Sequence, residues 1–147
     1  MRLRVAQSNS CALLENGADD NTIRAKLDVP PALIATAHQG WLVESCPVSD
    51  MPDADLERFI SFDIGGFLKL TMGRYSPQAQ KEFSNQVMME FAHIPFSLLE
   101  PAIAEARRKI SFPERLVPFV FEFVEARMAK LRAEGERLEK LMRIARG

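Results

Sequence analysis

The chain has 147 residues, of which 47% are hydrophobic and 27% are charged, and its formal net charge is −1. This length fits one domain of ordinary size or a small core domain with a helical arm, and the apolar content excludes an intrinsically disordered chain. The near-zero net charge provides no general attraction for nucleic acid or for a membrane surface.

The N-terminal part of the chain predicts three short helices. Residues 3–16 have helical periodicity and end at Gly17, which can adopt the left-handed conformation of a helix cap. A second helix runs from the polar residues 19–21 to about Asp28. Pro30 and Pro31 then start a third short helix that runs up to Gly40, because a proline suits the first turn of a helix.

A change in composition separates this N-terminal part from the rest of the chain. Residues 45–55, with the sequence SCPVSDMPDAD, are rich in proline, serine and aspartate and form the best candidate linker. We therefore predict an N-terminal helical segment over residues 1–44 and a helical core with a C-terminal helical arm over residues 56–147.

Two helices are predicted at the start of this core. The first has an apolar face, weakened by Gly65–Gly66, that consists of Leu56, Phe59, Ile60, Ile64, Phe67 and Leu68. Ser76–Pro77 opens the second helix. Its apolar residues recur every fourth position: Ala79, Phe83, Val87 and Phe91.

Prolines mark the starts of the helices that follow. Pro95 suits a first turn, and Ser97 with Glu100 has the spacing of a capping box. Pro101 is either tolerated close to the start of this helix or marks its true beginning. A further proline, Pro113, opens the last helix. Connections this short predict that neighbouring helices pack antiparallel.

The last helix carries a heptad-like apolar seam: Val117, Phe121, Val124, Met128, Leu131, Gly135, Leu138, Met142 and Ala145. In a parallel, in-register homodimer, Arg127 would face Arg132 of the second copy. Glu134 would likewise face Glu139, and both like-charged pairs disfavour that dimer, although other oligomers stay possible. Gly135 also leaves a gap in the seam. We expect the first half to pack within the chain and the second half to be exposed or to need a partner.

No segment shows a sustained alternation of apolar and polar residues, so strands are not predicted. The prediction is an all-α fold. It consists of a bundle of short helices joined by proline-marked tight turns and of a long amphipathic C-terminal helix.

Neither the cysteines nor the N-terminus indicates an exported protein. Cys11 and Cys46 are too few for a disulfide-built secreted fold, and MRLRVAQSNS does not resemble a signal peptide. No window is apolar over the length needed to span a bilayer. We expect a cytoplasmic protein.

A helix-turn-helix template fits the N-terminal segment in part, at Ile23, Leu27, Val29, Ile34 and Ala37. Its recognition helix would offer only Thr36, His38 and Gln39 to DNA bases. The first fifty residues also carry four basic and six acidic side chains. This slightly negative segment lacks the positive charge that attracts a protein to DNA phosphates. A structural helix pair is favoured, and DNA binding is the alternative.

No arrangement of residues indicates a chemical reaction. Cys11, Cys46, His38 and His93 are not paired at zinc-site spacing, and no glycine-rich phosphate loop is present. We therefore predict a protein that is not an enzyme and that has no catalytic residues, no metal and no cofactor.

Apolar surface is the more informative signal. Phe119, Phe121 and Phe123 alternate along a predicted helix, so they cannot all share one face. Such a helix is either buried on several sides or docks a partner. The candidate partner-binding residues are Phe119, Phe121, Phe123, Met128, Leu131, Leu138 and Met142.

Residues 75–130 resemble the core of small helical proteins encoded in phage and prophage replication regions, including helicase-loader-like ones. The resemblance depends on Pro95, on Ala102–Ile103 and on the aromatic–proline turn Phe112–Pro113. The chain departs from that pattern at Val117–Pro118, where a Glu-Leu pair is usual.

This resemblance implies a non-enzymatic adapter that binds a replicative helicase or another protein of DNA replication. One alternative is a DNA-binding helix-turn-helix protein, either a regulator or similar to a terminase small subunit, with a helical oligomerisation region. Another is a phage-encoded inhibitor of a host protein.

Overall fold

The computed structural model describes residues 2–146, which form helices joined by short turns. Among these residues no strand is present, and the extended pairing is an isolated bridge between Pro47 and Pro95. The prediction of an all-α fold with a long C-terminal helix is confirmed.

In chain order the α-helices are α1 (Arg2–Ala6), α2 (Asn9–Glu15), α3 (Asp20–Ala25), α4 (Pro31–Glu44), α5 (Asp53–Phe59), α6 (Gly65–Thr71), α7 (Pro77–Glu90), α8 (Phe96–Lys109) and α9 (Leu116–Arg146). A π-helical segment, Ile60–Ile64, lies between α5 and α6. Short 3-10 turns at Val48–Asp50 and Pro113–Arg115 precede α5 and α9.

The helices form two compact units, each with its own apolar core. The central unit comprises residues 45–128. The terminal unit comprises the described residues up to Glu44 and those from Ala129 onward. The helix α9 therefore contributes its first part to the central unit and its second part to the terminal unit.

Ser8 breaks the single helix that was predicted over residues 3–16. Its hydroxyl donates to the Val5 carbonyl at 2.6 Å and accepts from the backbone N–H of Cys11 at 3.2 Å. The same side chain thus ends α1 and caps α2. Gly17 follows α2 with φ of +79°, so the predicted left-handed conformation is confirmed.

The helices α3 and α4 differ in length from the prediction. Asp19 caps α3 by accepting from the Thr22 backbone N–H at 2.7 Å, but this helix ends at Ala25 and not near Asp28. The helix α4 continues through Gly40 to Glu44. Apolar contacts within the terminal unit therefore outweigh the weak helix propensity of glycine.

The apolar face of the second half of α9 is buried within the chain, contrary to the prediction that this half is exposed or needs a partner. Leu138, Leu141 and Ile144 are at most 3% exposed and share the terminal core with Ile23 and Ile34. The N-terminal helices are thus the intrachain partner that the seam was expected to lack.

Polar contacts also hold α9 within the terminal unit. Arg2 donates to both carboxylate oxygens of Glu134, at 2.8 Å and 2.6 Å, and forms a further ion pair with Glu44. Arg24 donates to the Ile144 carbonyl at 3.0 Å. The contacts of Arg2 with Glu134 and of Arg24 with Ile144 connect residues more than a hundred positions apart, which the seam spacing alone does not reveal.

Residues 45–55 are part of the central unit and do not form the predicted linker. The Val48 side chain is 1% exposed in the central core, and its backbone N–H donates to the Ile94 carbonyl at 2.9 Å. The Phe96 N–H donates in turn to the Cys46 carbonyl at 3.2 Å. This segment therefore packs against the turn between α7 and α8.

The predicted helix over residues 56–68 passes through the π-helical segment without breaking at Gly65–Gly66. Its buried positions are Phe59, Ile64, Phe67 and Leu68, and Met72, the residue directly after α6, is buried as well. Contact positions that recur about every fourth residue drift around an α-helix, which has 3.6 residues per turn. The wider π turn opposes this drift and keeps the apolar side chains directed at the core.

The helices α7 and α8 complete the central unit. Ser76 caps α7, as expected, by accepting from the Ala79 backbone N–H at 3.1 Å. The helix α8 begins at Phe96, directly after Pro95, and makes no side-chain cap bond. Pro101 lies inside this helix, close enough to its start to be tolerated.

Candidate partner-binding surface

The first half of α9 presents two aromatic flanks on either side of a buried stripe. Leu116, Val120 and Val124 form the stripe, and each is at most 1% exposed. Because the three phenylalanines alternate along a helix, Phe121 projects on one side of this stripe while its neighbours project on the other. Phe121 is 42% exposed and meets Phe91 edge-on, with 6.1 Å between ring centroids.

The opposite flank combines stacked rings with an arginine. Phe119 and Phe123 are half-buried, and their rings stack with centroids 6.3 Å apart. The Arg127 guanidinium lies 3.9 Å from the Phe123 ring centroid and donates to the Phe123 carbonyl at 2.6 Å. These contacts hold the Phe123 ring in place.

A groove of about 410 Å³ runs alongside this flank, between the end of α8 and the start of α9. We call it the α8–α9 groove. It is lined by Lys109, Ile110, Ser111, Phe112, Glu114, Arg115, Pro118, Phe119 and Glu122. Apolar side chains therefore alternate with charged groups of both signs.

The backbone around Pro113 explains why this groove is open. Ile110 leaves α8 in an extended conformation, and Phe112 is extended as well. The residue before a proline favours this conformation because the proline ring clashes with a helical neighbour. Phe112 is thereby left 56% exposed, with the Arg115 guanidinium 5.8 Å from its ring centroid.

The seven predicted partner-binding residues divide between surface and core. Phe121 is exposed, and Phe119 and Phe123 line the opposite flank, whereas Met128 is half-buried against the central core.

Two of the remaining three residues are buried, and one of them, Leu138, belongs to the terminal core. Leu131 is 8% exposed and Leu138 is 3% exposed, so neither presents surface to a partner, and this part of the prediction is wrong. Met142 is half-buried against the same core. The physical reason is that the N-terminal helices cover this part of α9.

The three predicted DNA contacts do not form one surface. The Thr36 hydroxyl donates to the Ala32 carbonyl at 2.9 Å, and Gln39 is exposed. The prediction for His38 is wrong, because its ring stacks on Trp41 within the terminal unit and its Nε2 is buried. That nitrogen lies 3.8 Å from a carboxylate oxygen of Glu139, and no hydrogen bond to it is formed by the residues described.

Several exposed apolar residues were not predicted from the sequence. Phe112 was noted only as part of an aromatic–proline turn. Phe62 and Leu70, at 71% and 64% exposure, lie eight residues apart on the outer face of their helix. Their position opposite Ile64 and Phe67 in the helical pattern is the signal that could have identified them.

The cysteines and carboxylates of residues 2–146 form no cluster typical of a metal site. In the described part of the chain, no three histidine, cysteine, aspartate or glutamate side chains lie close enough to hold a metal ion. Burial raises the pKa of the Cys11 thiol, and the nearby Glu15 carboxylate raises it further.

No helix of residues 2–146 has the length and apolar content to cross a membrane.

Comparison with protein-family models, with curated proteins and with solved structures finds no match to this chain. The resemblance of residues 75–130 to phage replication-region proteins therefore stays an expectation of the sequence pattern.

Proposed function

We propose that this chain is a non-enzymatic adapter that binds another protein through the α8–α9 groove. The observation that carries the proposal is the exposed Phe112 ring beside a groove lined by Ile110 and Phe119. Water-exposed aromatic side chains next to a concave surface are typical of protein-binding sites.

The composition of the groove favours a protein partner over a nucleic acid. Lys109 and Arg115 are offset by Glu114 and Glu122. A site for nucleic acid needs a positive surface that follows the phosphates, which this balance of charges does not supply. An apolar floor with a rim of mixed charge suits a helix or an extended segment with a large apolar anchor.

The resemblance of residues 75–130 suggests that the partner is a replicative helicase and that the chain acts as its loader. Residues 95–113 contain the quoted pattern, and the groove begins where that pattern ends. We therefore place helicase binding at the α8–α9 groove. The DNA-binding alternative has less support, since α4 carries no lysine or arginine and His38 faces inward.

A photo-cross-linking experiment tests the adapter function. A photoreactive phenylalanine analogue is placed at Phe112 in the full chain, and a matched variant carries it at Phe121 on the opposite flank of α9. We expect illumination in host cells to join position 112 to one predominant protein, the replicative helicase, and position 121 to join it far less.

A binding measurement with purified host helicase then tests the partner. Phe112→Ala should weaken binding by about tenfold or more, because an aromatic anchor contributes about 2 kcal/mol at an interface. Phe121→Ala is the control and should change binding by less than about threefold. Absence of any cross-link at position 112 would contradict the adapter function. A cross-link to a different protein would contradict only the helicase assignment.

A further inference from the structure

A second exposed surface lies on the π segment and α6, away from the groove in sequence. Phe62, Gly66 and Leu70 follow one another at intervals of four residues, so they line one stripe of the helix. Phe62 is 71% exposed and Leu70 is 64% exposed. Two large apolar side chains therefore project into solvent on either side of a glycine.

The guanidinium of Arg107, from α8, occupies the space above this glycine. A Cβ built on Gly66 would lie 2.7 Å from Cζ and 2.8 Å from Nη2 of Arg107. The absence of a side chain at position 66 thus allows the guanidinium to lie against the helix backbone. The helix α8 packs against both α6 and the π segment, which positions Arg107 between the two apolar residues.

The donors of Arg107 are available to a partner. Glu105 binds the two other basic residues of the last turn of α8, Arg108 at 3.2 Å and Lys109 at 2.9 Å. Asp63 interacts with Arg107 electrostatically but at a distance beyond an ion pair. Within residues 2–146 no hydrogen bond or ion pair is made by the Arg107 guanidinium.

The charge around the stripe is positive. The last turn of α8 contributes three basic residues, and Lys69 adds a fourth beside Leu70. Asp63 and Glu105 are acidic residues of the same region, and Glu105 pairs with Arg108 and Lys109, so four positive charges stand against two negative ones. A ligand with negative charge is therefore favoured here.

We propose that this stripe, which we call the Phe62–Leu70 surface, is a docking site for an acidic amphipathic helix of a protein partner. A carboxylate of the partner accepts hydrogen bonds from Arg107, and apolar side chains one turn away on each side contact Phe62 and Leu70. Planar guanidinium and carboxylate groups pair in a bidentate manner, and arginine with aromatic residues dominates many interfaces. This surface is independent of the proposed function of the groove.

Selection from a random peptide library tests this proposal. The full chain is the bait, and the library displays peptides of about sixteen residues, long enough for four helical turns. We expect the selected peptides to carry aspartate or glutamate together with apolar residues at helical spacing. Failure to enrich any peptide, or enrichment of basic or uncharged ones, would overturn the proposal.

Matched variants assign the binding to the surface. Arg107→Ala should weaken binding of a selected peptide by about tenfold, as expected when a charged hydrogen-bond donor is lost. Arg108→Ala removes the same charge from the same helix end and should change binding by less than about twofold. Equal effects of the two substitutions would show that only net charge matters and would overturn the proposal.

Gly66→Ala supplies a test that leaves every charge in place. The added methyl group displaces the guanidinium, which is the flexible end of its side chain, so the fold should be kept and peptide binding should weaken severalfold. Circular dichroism checks the fold.

Two other anionic ligands are included as competitors, a single-stranded oligonucleotide and vesicles that contain phosphatidylglycerol. Arg107-dependent binding of either one more tightly than of the selected peptides would overturn the assignment of a protein partner.

Discussion

The indole ring of Trp41 is held on three sides within the terminal unit. Its Nε1 donates to the Leu131 carbonyl at 2.6 Å, its face stacks on His38, and its edge lies against the backbone of Gly135. In the sequence, Gly135 interrupts the apolar seam of α9 and leaves a gap. In the structure, Trp41 fills that gap from α4.

Gly135→Ala is expected to destabilise the terminal unit by about 2 kcal/mol, because the new methyl group overlaps an indole ring that cannot move aside. The loss should occur although alanine favours a helix over glycine by about 1 kcal/mol. Urea unfolding followed by the fluorescence of Trp41, the one tryptophan of the chain, measures the change.

Gly65→Ala serves as the control for this prediction. A Cβ at Gly65 would lie 3.4 Å from the Ile60 carbonyl oxygen, which is an ordinary contact. This substitution lies in the central unit and should be neutral or stabilising by up to about 1 kcal/mol in urea unfolding followed by circular dichroism. Wild-type stability of Gly135→Ala would mean that the ring does not lie against the glycine.

Asp28 connects the turn after α3 to the start of α2. Its carboxylate accepts from the Ser10 hydroxyl at 2.6 Å and from the backbone N–H groups of Asn9 and Ser10 at 2.8 Å and 3.1 Å. The bond from the Ser10 hydroxyl, helped by the two backbone donors, lowers the pKa of Asp28 below its ordinary value.

This lowered pKa predicts a dependence of stability on pH. A carboxyl whose pKa is lower in the folded state stabilises the fold above its unfolded pKa of about 4, and this contribution is lost as the pH falls further. Asp28→Asn should therefore lower the Tm at neutral pH, and the difference from wild type should shrink in acid. Because Asp28 is exposed, we expect a loss of only about 1 kcal/mol.

Glu136→Gln is the matched control, since it removes a carboxylate from an exposed position on α9. Its Tm should follow that of the wild type at every pH. A difference in Tm between Asp28→Asn and the wild type that stays constant down to about pH 3 would contradict the prediction.

At the scale of elements, α9 demonstrates what apolar spacing can and cannot predict. The seam includes Val124, Leu131 and Leu138, which are buried, and Met142, which is only half-buried, but it omits Leu141 and Ile144, which are buried as well. A straight helix drifts relative to a strict seven-residue repeat. The contacting face therefore moves by one position near the end of the helix.

Paired substitutions at the end of α9 test this shift. Leu141→Ala should destabilise the terminal unit by about 3 kcal/mol, because it creates a cavity at a fully buried site. Met142→Ala should cost about 1 kcal/mol or less, because this side chain is only half-buried. Chemical denaturation of both variants measures the difference. A larger loss of stability for Met142→Ala than for Leu141→Ala would contradict the shift of the buried face.

The candidate surface could be predicted only in part. The alternation of Phe119, Phe121 and Phe123 is visible in the sequence, and it correctly implies that they lie on different flanks. The exposure of Phe112 depends on what packs over the Pro113 turn, which spacing does not show. The position of the Arg107 guanidinium against Gly66 depends on contact between α6 and α8, which lie far apart in the chain.

At the scale of the whole molecule, the terminal unit is discontinuous in sequence and the central unit is continuous. The composition of residues 45–55 suggests a boundary close to the one observed after Glu44. It could not be predicted that the residues from Ala129 onward belong to the terminal unit, because helical periodicity identifies an apolar face but not the segment that covers it.

Excised fragments should reproduce this division. Residues 45–128 contain the complete central core and should fold alone, with cooperative thermal unfolding in circular dichroism. Residues 1–44 should be largely unfolded, since short helices are marginal in water without tertiary packing. Addition of a peptide of residues 129–146 should restore helicity and shift the emission of Trp41 to shorter wavelength. A fragment 1–44 that unfolds cooperatively by itself would contradict this division.

The discontinuity of the terminal unit also governs the order of events on the ribosome. Translation produces residues 1–44 before residues 45–128, yet the second half of α9, which completes the core of the terminal unit, is made only after both. The central unit can fold as it leaves the exit tunnel, in the order usual for nascent chains. The helices of residues 1–44, in contrast, remain accessible to chaperones and proteases until the second half of α9 has left the exit tunnel.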